Sequence, residues 1–265
     1  MTSKVCTAAE AMADVHDGAS IAVHSWGAAG TPGYLLRALV QRAVKDLTLY
    51  CNNFIPVPEF LAELGMPLVT PLIPQLKKIV SPFVGGRGLA LSGTTDFLGD
   101  QVKRGQLEIE ATTHGVFMER LHAGAMGLGG FYSPVGLNTI IERGKEKRVI
   151  DDKEYIFEKP IRPDVGLIKA DKADKLGNLI YRGSSRGSNP IIAMASKLTI
   201  VEVFEVVEPG ELDPEMVVTP GIYVDRIVRI PDEDVASGKR RPEIVKRLTE
   251  EILPLVWAIS KGGQG

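Results

Sequence analysis

Leu107-Glu108-Ile109-Glu110-Ala111-Thr112-Thr113-His114-Gly115-Val116-Phe117-Met118-Glu119-Arg120-Leu121-His122 is the stretch that decides how the chain is read. Its first five residues alternate apolar with charged side chains, the period of a half-buried strand. Two threonines then offer hydroxyl caps. Val116, Met118 and Leu121 carry a helical pattern until Gly124-Ala125-Met126-Gly127-Leu128-Gly129-Gly130 breaks it. The predicted order is strand, turn, helix, glycine-rich break. It places His114-Gly115 at the carboxyl end of a strand, where open α/β sheets hold ligands and helix N–H groups favour negative charge. Two readings stand side by side for His114: a turn residue with a satisfied side chain, or a catalytic group. The glycine run reads equally as plain helix termination. Phe131-Tyr132-Ser133-Pro134-Val135-Gly136 then leads into a second tight turn directed at the same crevice.

Upstream, the strand-to-helix pattern repeats. Thr7-Ala8-Ala9-Glu10 is a capping box, followed by an apolar face of Ala9, Met12, Ala13 and Val15 that stops at Asp17-Gly18. Ser20-Ile21-Ala22-Val23 reads as a buried strand. It enters the small-residue loop His24-Ser25-Trp26-Gly27-Ala28-Ala29-Gly30, with Pro32 near the first turn of a helix over 34–40. A strand, a Gly/Ala loop and a helix N-terminus suit a phosphate or pyrophosphate. The spacing is neither Gly-x-Gly-x-x-Gly nor a Walker loop, so a simple tight turn competes with anion binding. Residues 46–51 form the next strand, ending at Asn52-Asn53, whose paired amides suit a carboxylate or carbonyl. A short helix is expected over 60–64. Pro67, Pro71 and Pro74 make the following stretch too proline-rich for one regular element. A third strand is expected over 78–86, ending in a glycine loop that contains Gly85, and a helix over 97–105.

Downstream, residues 140–157 read as a charged hairpin extending from the core, its charges solvated. Strands are expected over 164–170 and 176–182, the latter opening with a Gly177-Asn178 turn, and a helix over 189–196. Residues 199–207 are the most β-branched run and are expected near the centre of the sheet. Strands alternating with helices predict an α/β fold: an open, largely parallel sheet flanked by helices. Residues 1–230 are read as one domain and 231–265 as a C-terminal helical extension, in which Ile244, Val245, Leu248, Ile252 and Leu253 have helical spacing.

The 265 residues, 44% of them hydrophobic, allow a sizeable core. With 31 Lys plus Arg against 33 Asp plus Glu, a net charge of -2 gives no field to attract a polyanion, so nucleic acid is not an expected partner. Cys6 and Cys51 make neither a disulfide framework nor a thiolate site, which suits a reducing cytoplasm, and the four histidines lack metal-ligand spacing. No metal is expected, and no apolar run approaches the ~20 residues of a membrane helix.

Several ordered blocks carry a resemblance. Asp17-Gly18 with Ile21-Ala22-Val23 and a loop holding Gly30 and Pro32, Lys45-Asp46-Leu47-Thr48 with Asn52-Asn53, and the 131–136 segment are three of them. Ala173-Asp174-Lys175 with Gly177-Asn178-Leu179-Ile180-Tyr181-Arg182 is a fourth, and the run from Thr199-Ile200-Val201-Glu202-Val203 through Thr219-Pro220-Gly221 to Val228 a fifth. In order and spacing, over roughly residues 5–230, these resemble the α subunits of family I CoA-transferases of the 3-oxoacid type.

The resemblance implies an α/β heteromer such as α2β2, with the active site at the subunit interface and the nucleophilic glutamate in a Ser-Glu-Asn-Gly motif of the β subunit. No Glu-Asn-Gly occurs in this chain. It further implies that an acyl-CoA and a carboxylic acid are the substrates, with coenzyme A arriving as a thioester and no permanently bound cofactor. The family's oxyanion-contacting glutamine falls at His114, and the family's Gly-Gly-Phe falls at His24-Ser25-Trp26. Substrate or CoA contacts are accordingly expected from His24, Ser25, Trp26, Gly27, Ala28, Ala29, Gly30, Asn52, Asn53 and Gly85. Imidazole in place of an amide leaves open an acyl-CoA hydrolase or ring-cleaving enzyme of the same fold using His114, and a non-catalytic acyl-CoA or sugar-phosphate binding protein is the third alternative.

Overall fold

The computed structural model describes residues 3–25, 29–54, 70–85 and 94–232. Short parallel strands alternate with helices. β1 (Ser20–Val23) leads to α2 (Gly33–Arg42), preceded by the single turn of α1 (Ala8–Ala11). β2 (Leu47–Cys51), β3 (Leu76–Ser81), α3 (Thr94–Lys103), β4 (Glu108–Ala111) and α4 (His114–Ala125) follow. A second group comprises β5 (Phe131–Ser133), β6 (Lys147–Ile150), β7 (Lys153–Glu158), β8 (Val165–Asp174), β9 (Leu179–Ile180), α5 (Asn189–Ala195), β10 (Leu198–Val207) and β11 (Arg226–Arg229).

The main sheet has the order β11-β10-β8-β1-β2-β3-β4, every neighbouring pair parallel, with β9 folded back antiparallel on β8. From β1 the chain builds outward to β4 on one side, and from β8 to β11 on the other. The order therefore reverses between β1 and β8, where such sheets open a crevice at the carboxyl ends of their strands.

Strand alternation divides the core in two. Ile21, Val23, Leu47, Leu49, Leu167 and Ile200 pack with Leu35, Leu36 and Leu39 of α2 on one face. Ala22, Ile168, Ala170, Val201 and Val203 pack with Phe117 and Leu121 of α4 and Ile191 and Ile192 of α5 on the other. Side chains that alternate apolar on both faces are what a parallel sheet covered on both sides requires.

Several sequence expectations need correction. The 199–207 run is internal but not central: β10 lies second from the sheet edge, its ten residues matched to the ten of β8. Its β-branched content reflects burial between two helix layers rather than position in the strand order. Glycine does not end α4 at Gly124, since the helix continues to Ala125. A Cβ at Gly124 would sit 1.9 Å from the Ile161 carbonyl oxygen, so this glycine lets the chain entering β8 cross the helix. α1 ends after one turn, so the expected face is broken: Ala11 and, beyond the helix, Met12 and Val15 are buried, while Ala9 and Ala13 are exposed. The described part of the proline-rich stretch, Thr70–Gln75, is a 3₁₀ helix with Pro74 inside it, which is compatible with the expectation that no one regular element spans Pro67–Pro74.

Other expectations hold. Thr7 and Glu10 form both bonds of the capping box. β6 and β7 are a hairpin joined by Asp151-Asp152, both at positive φ, as a two-residue turn matched to strand twist demands. β5 adds to it, giving a three-stranded antiparallel sheet in the order β5-β7-β6. The expected helix over 60–64 and the extension over 233–265 lie outside the described residues.

Candidate active site

The carboxyl ends of β1, β2 and β4 carry His24-Ser25, Asn52-Asn53 and Thr112-Thr113-His114, and they share a hydrogen-bonded layer. Ser25 clasps the chain leaving β2: its hydroxyl donates to the Asn53 carbonyl at 2.7 Å and accepts the Asn53 N–H at 3.1 Å. The Asn53 side chain then faces His114, whose Nε2 lies 3.3 Å from Asn53 Oδ1. An amide oxygen accepts only, so Nε2–H is the donor. His114 is exposed at the first position of α4, where Thr113 caps the helix by accepting the Val116 N–H.

His24 and Asn52 face inward. His24 is only 3% exposed. The Ser188 N–H donates to its Nδ1 at 3.2 Å, so Nε2 carries the proton and donates to the Ala29 carbonyl at 3.1 Å. Ser188 Oγ lies 2.9 Å from the same Nδ1, and its hydroxyl donates to Asn52 Oδ1 at 2.8 Å. This buried serine and histidine are a tether, because the serine proton is committed to Asn52 and both residues are almost fully buried. Burial lowers the His24 pKa, which keeps the ring neutral. The Asn52 amide N–H₂ points at Met118 Sδ, 3.8 Å away.

The small-residue loop is held from α5. Asn189, fully buried, donates to the carbonyls of Gly30 at 3.0 Å and Ser185 at 2.9 Å and accepts the Lys169 N–H at 3.2 Å. Gly30 has φ +73°, and a Cβ there would lie 2.2 Å from the Ser185 carbonyl oxygen. Gly187 makes room for His24 in the same way: its Cβ would lie 2.2 Å from the imidazole Cε1. Gly85, at φ +73°, donates its N–H to the Phe54 carbonyl at 2.9 Å and so lies beside the chain leaving β2. Trp26, Gly27 and Ala28 lie outside the described residues.

The phosphate reading of the first loop meets an internal competitor. Glu202 on β10, fully buried, accepts the Leu35 N–H in the first turn of α2 at 2.8 Å, and its other oxygen lies 3.0 Å from Lys169 Nζ. Burial pushes the Glu202 carboxyl up, against Lys169 and the helix N–H groups. The positive end of α2 is thus already met by a carboxylate of the protein itself. Ser188, Asn189, Glu202 and Lys169 were not singled out by the sequence reading. A charged residue within the most β-branched strand, Glu202, was the available signal.

Among the described residues no group of acidic, histidine and cysteine side chains has metal-binding geometry, and no helix is long and apolar enough to cross a membrane. Cys51 is fully enclosed, and burial pushes its thiol up to about 12, so it is not a nucleophile.

A doubly covered parallel sheet with polar loops gathered at its carboxyl edge is an α/β fold of the kind that holds ligands at that edge. The chain belongs to the coenzyme A transferase family, whose model matches residues 5–229. It is 40% identical over 220 residues to the A-type subunit of a succinyl-CoA:3-ketoacid coenzyme A transferase of Helicobacter pylori, covering 83% of this chain and 89% of that one. It is also 40% identical over 225 residues to the A-type subunit of a 3-oxoadipate CoA-transferase of Acinetobacter baylyi, covering 84% and 93%. The fold matches the crystal structure of glutaconate coenzyme A-transferase from Acidaminococcus fermentans with a TM-score of 0.68 at 19% identity, covering 94% of this chain and 88% of that one. The chain is the α subunit of a heteromeric CoA-transferase, as the resemblance implied, and a β-type subunit is its partner.

Proposed function

We propose that the chain works in the cytoplasm as half of an α2β2 transferase that moves CoA from an acyl-CoA to a short carboxylic acid, a 3-oxoacid, with the nucleophilic glutamate on the β subunit. The relatives' names supply the substrate class: a 3-ketoacid and 3-oxoadipate are both 3-oxo carboxylic acids. In this reading the glutamate attacks the thioester carbonyl and the thiolate leaves, giving an acyl anhydride. The thiolate then attacks the glutamyl carbonyl, releasing the first carboxylate and forming a glutamyl-CoA thioester. The acceptor carboxylate reverses both steps, so no water and no permanently bound cofactor is needed. Each step passes through a tetrahedral oxyanion that requires a donor aimed at it.

The observation that carries the reading is the His114–Asn53 pair at the sheet's carboxyl edge. His114 Nε2–H engages the Asn53 oxygen, and in this reading the amide N–H₂ of Asn53 donates toward substrate. The imidazole itself supplies a second donor when substrate displaces that long bond. Ser25, Gly30 and Gly85 set the backbone around this pair, while His24 and Asn52 act from beneath it. The test is to mix the purified chain with its β partner and to supply succinyl-CoA and acetoacetate. Formation of acetoacetyl-CoA only when both chains are present supports transfer. Release of free CoA indicates a hydrolase with His114 as base, and binding without turnover indicates a sensor; either result would overturn the reading.

A further inference from the structure

The open edge of the sheet borders a cavity of about 690 Å³ that the transferase reading leaves unused. One wall is the whole of β4, which among the described residues is an edge strand paired only with β3. The other is the 140–146 segment, and the floor is formed by Phe157 and Glu158 of β7. Its size falls in the range of small-molecule pockets.

The charges of this cavity divide into paired and unpaired. Glu110 is held by Arg120 at 2.8 Å and by Lys78 at 2.8 Å, and Lys78 also pairs with Glu108 at 2.8 Å. Glu146 accepts the Tyr132 hydroxyl. Lys145 pairs with Glu158 Oε1 at 2.6 Å. Glu158 is 1% exposed, yet its other oxygen, Oε2, has no hydrogen-bond donor among the described residues. A buried carboxylate oxygen without a donor is costly and calls for one. At the rim, the exposed side chains of Arg143 and Lys159 make no ion pair among the described residues. The same cavity is lined by Ile109, Ile140, Ile141 and Phe157, with Ile140 left 63% exposed on the 140–146 wall.

We propose that this cavity binds a small zwitterion, an α-amino acid with an apolar side chain. Its ammonium donates to Glu158 Oε2, its carboxylate meets Arg143 and Lys159, and its side chain covers Ile140 and Ile141. A simple anion would leave Glu158 unmet, and a simple amine would leave both rim cations unmet.

Titration calorimetry of the full-length chain with L-leucine tests this, with 4-methylpentanoate and 3-methylbutylamine as probes lacking the ammonium and the carboxylate. The expected result is one-to-one binding of leucine, weaker by about tenfold or more for each probe, because each loses a charge-assisted hydrogen bond. Arg143→Ala combined with Lys159→Ala, both exposed, weakens leucine binding by about tenfold or more while leaving the thermal midpoint unchanged. Binding of 4-methylpentanoate as tight as leucine would reduce the site to a carboxylate contact. Leucine binding that the double variant leaves intact would place it elsewhere. Absence of heat with leucine would mean that the cavity holds only water. Each of these three results overturns the proposal.

Discussion

Glu202 in the middle of β10 caps the first turn of α2 by accepting the Leu35 N–H at 2.8 Å, a contact between residues 167 apart in sequence. The same carboxylate lies 3.0 Å from Lys169 of β8. One side chain therefore ties two neighbouring strands to the helix that follows the first loop. Glu202→Gln keeps an acceptor for Leu35 but leaves Lys169 facing a neutral amide in a nearly closed site. It should lower stability by about 2–3 kcal/mol. Adding Lys169→Met should recover part of that loss, since the uncompensated ammonium is then gone. Urea unfolding of the two single variants and the double variant measures the coupling. Strict additivity would show that the pair does not interact.

Gly187 and His24 are fitted to one another. Gly187→Ala puts a methyl group into the imidazole and holds an L residue at φ +40°. The overlap and the backbone strain together should cost about 3 kcal/mol. In a His24→Ala background the overlap disappears and only the backbone strain remains, so the same substitution should cost about 1–2 kcal/mol less. Thermal unfolding of the four proteins checks this, and an equal cost in both backgrounds would mean that the ring is not what Gly187 accommodates.

The buried imidazole also sets a pH dependence. Burial holds the His24 pKa below its ordinary value, so the unfolded chain binds a proton that the folded chain refuses. The stabilisation is fully present above the unfolded pKa of roughly 6.5 and is lost as the pH falls below it. Stability measured between about pH 7.5 and 5 should therefore fall more steeply for the wild type than for His24→Gln. Parallel slopes would show that His24 takes up its proton in the folded state.

The sheet was legible because its strands are apolar runs, each followed by a polar or glycine-rich exit. Ser20–Val23 and Leu47–Cys51 stand where their apolar runs predict, and the Thr7 and Thr113 caps stand where their spacing predicts. His114 and Asn53 could be placed at the same carboxyl edge of the sheet from periodicity and from the family resemblance, since each lies where the chain leaves a strand, β4 and β2, with β3 between them. What could not be read was which polar groups turn inward. Asn52 and Asn53 are adjacent and chemically identical, yet one is tied to Ser188 and the other faces His114. That choice is made by α5, more than 130 residues away in sequence, through the 2.8 Å bond between Ser188 and Asn52. Gly124 and Gly187 show the same limit: local pattern reads glycine as a break or a turn, whereas their use here is the close approach of remote chain.

The reaction itself turns on His114. If its imidazole and the Asn53 amide it orients both face the oxyanion, then His114→Ala in the α/β complex removes one donor and loosens the other. The expected loss is about 10²–10³ in kcat with a smaller change in KM, the effect of deleting a preorganised oxyanion contact. His114→Gln keeps an N–H that donates to Asn53 Oδ1 and a group that donates toward substrate, so transfer from succinyl-CoA to acetoacetate should survive within about tenfold. A general base on water would behave differently, because Gln cannot take up the proton. Both substitutions would then abolish thioester hydrolysis, and wild-type hydrolysis would fall as the imidazole protonates at low pH. Steady-state kinetics of the three complexes, with acetoacetyl-CoA and free CoA quantified separately, distinguishes the two roles. A fully active His114→Ala complex would leave the His114–Asn53 bond as nothing more than a brace between β2 and α4.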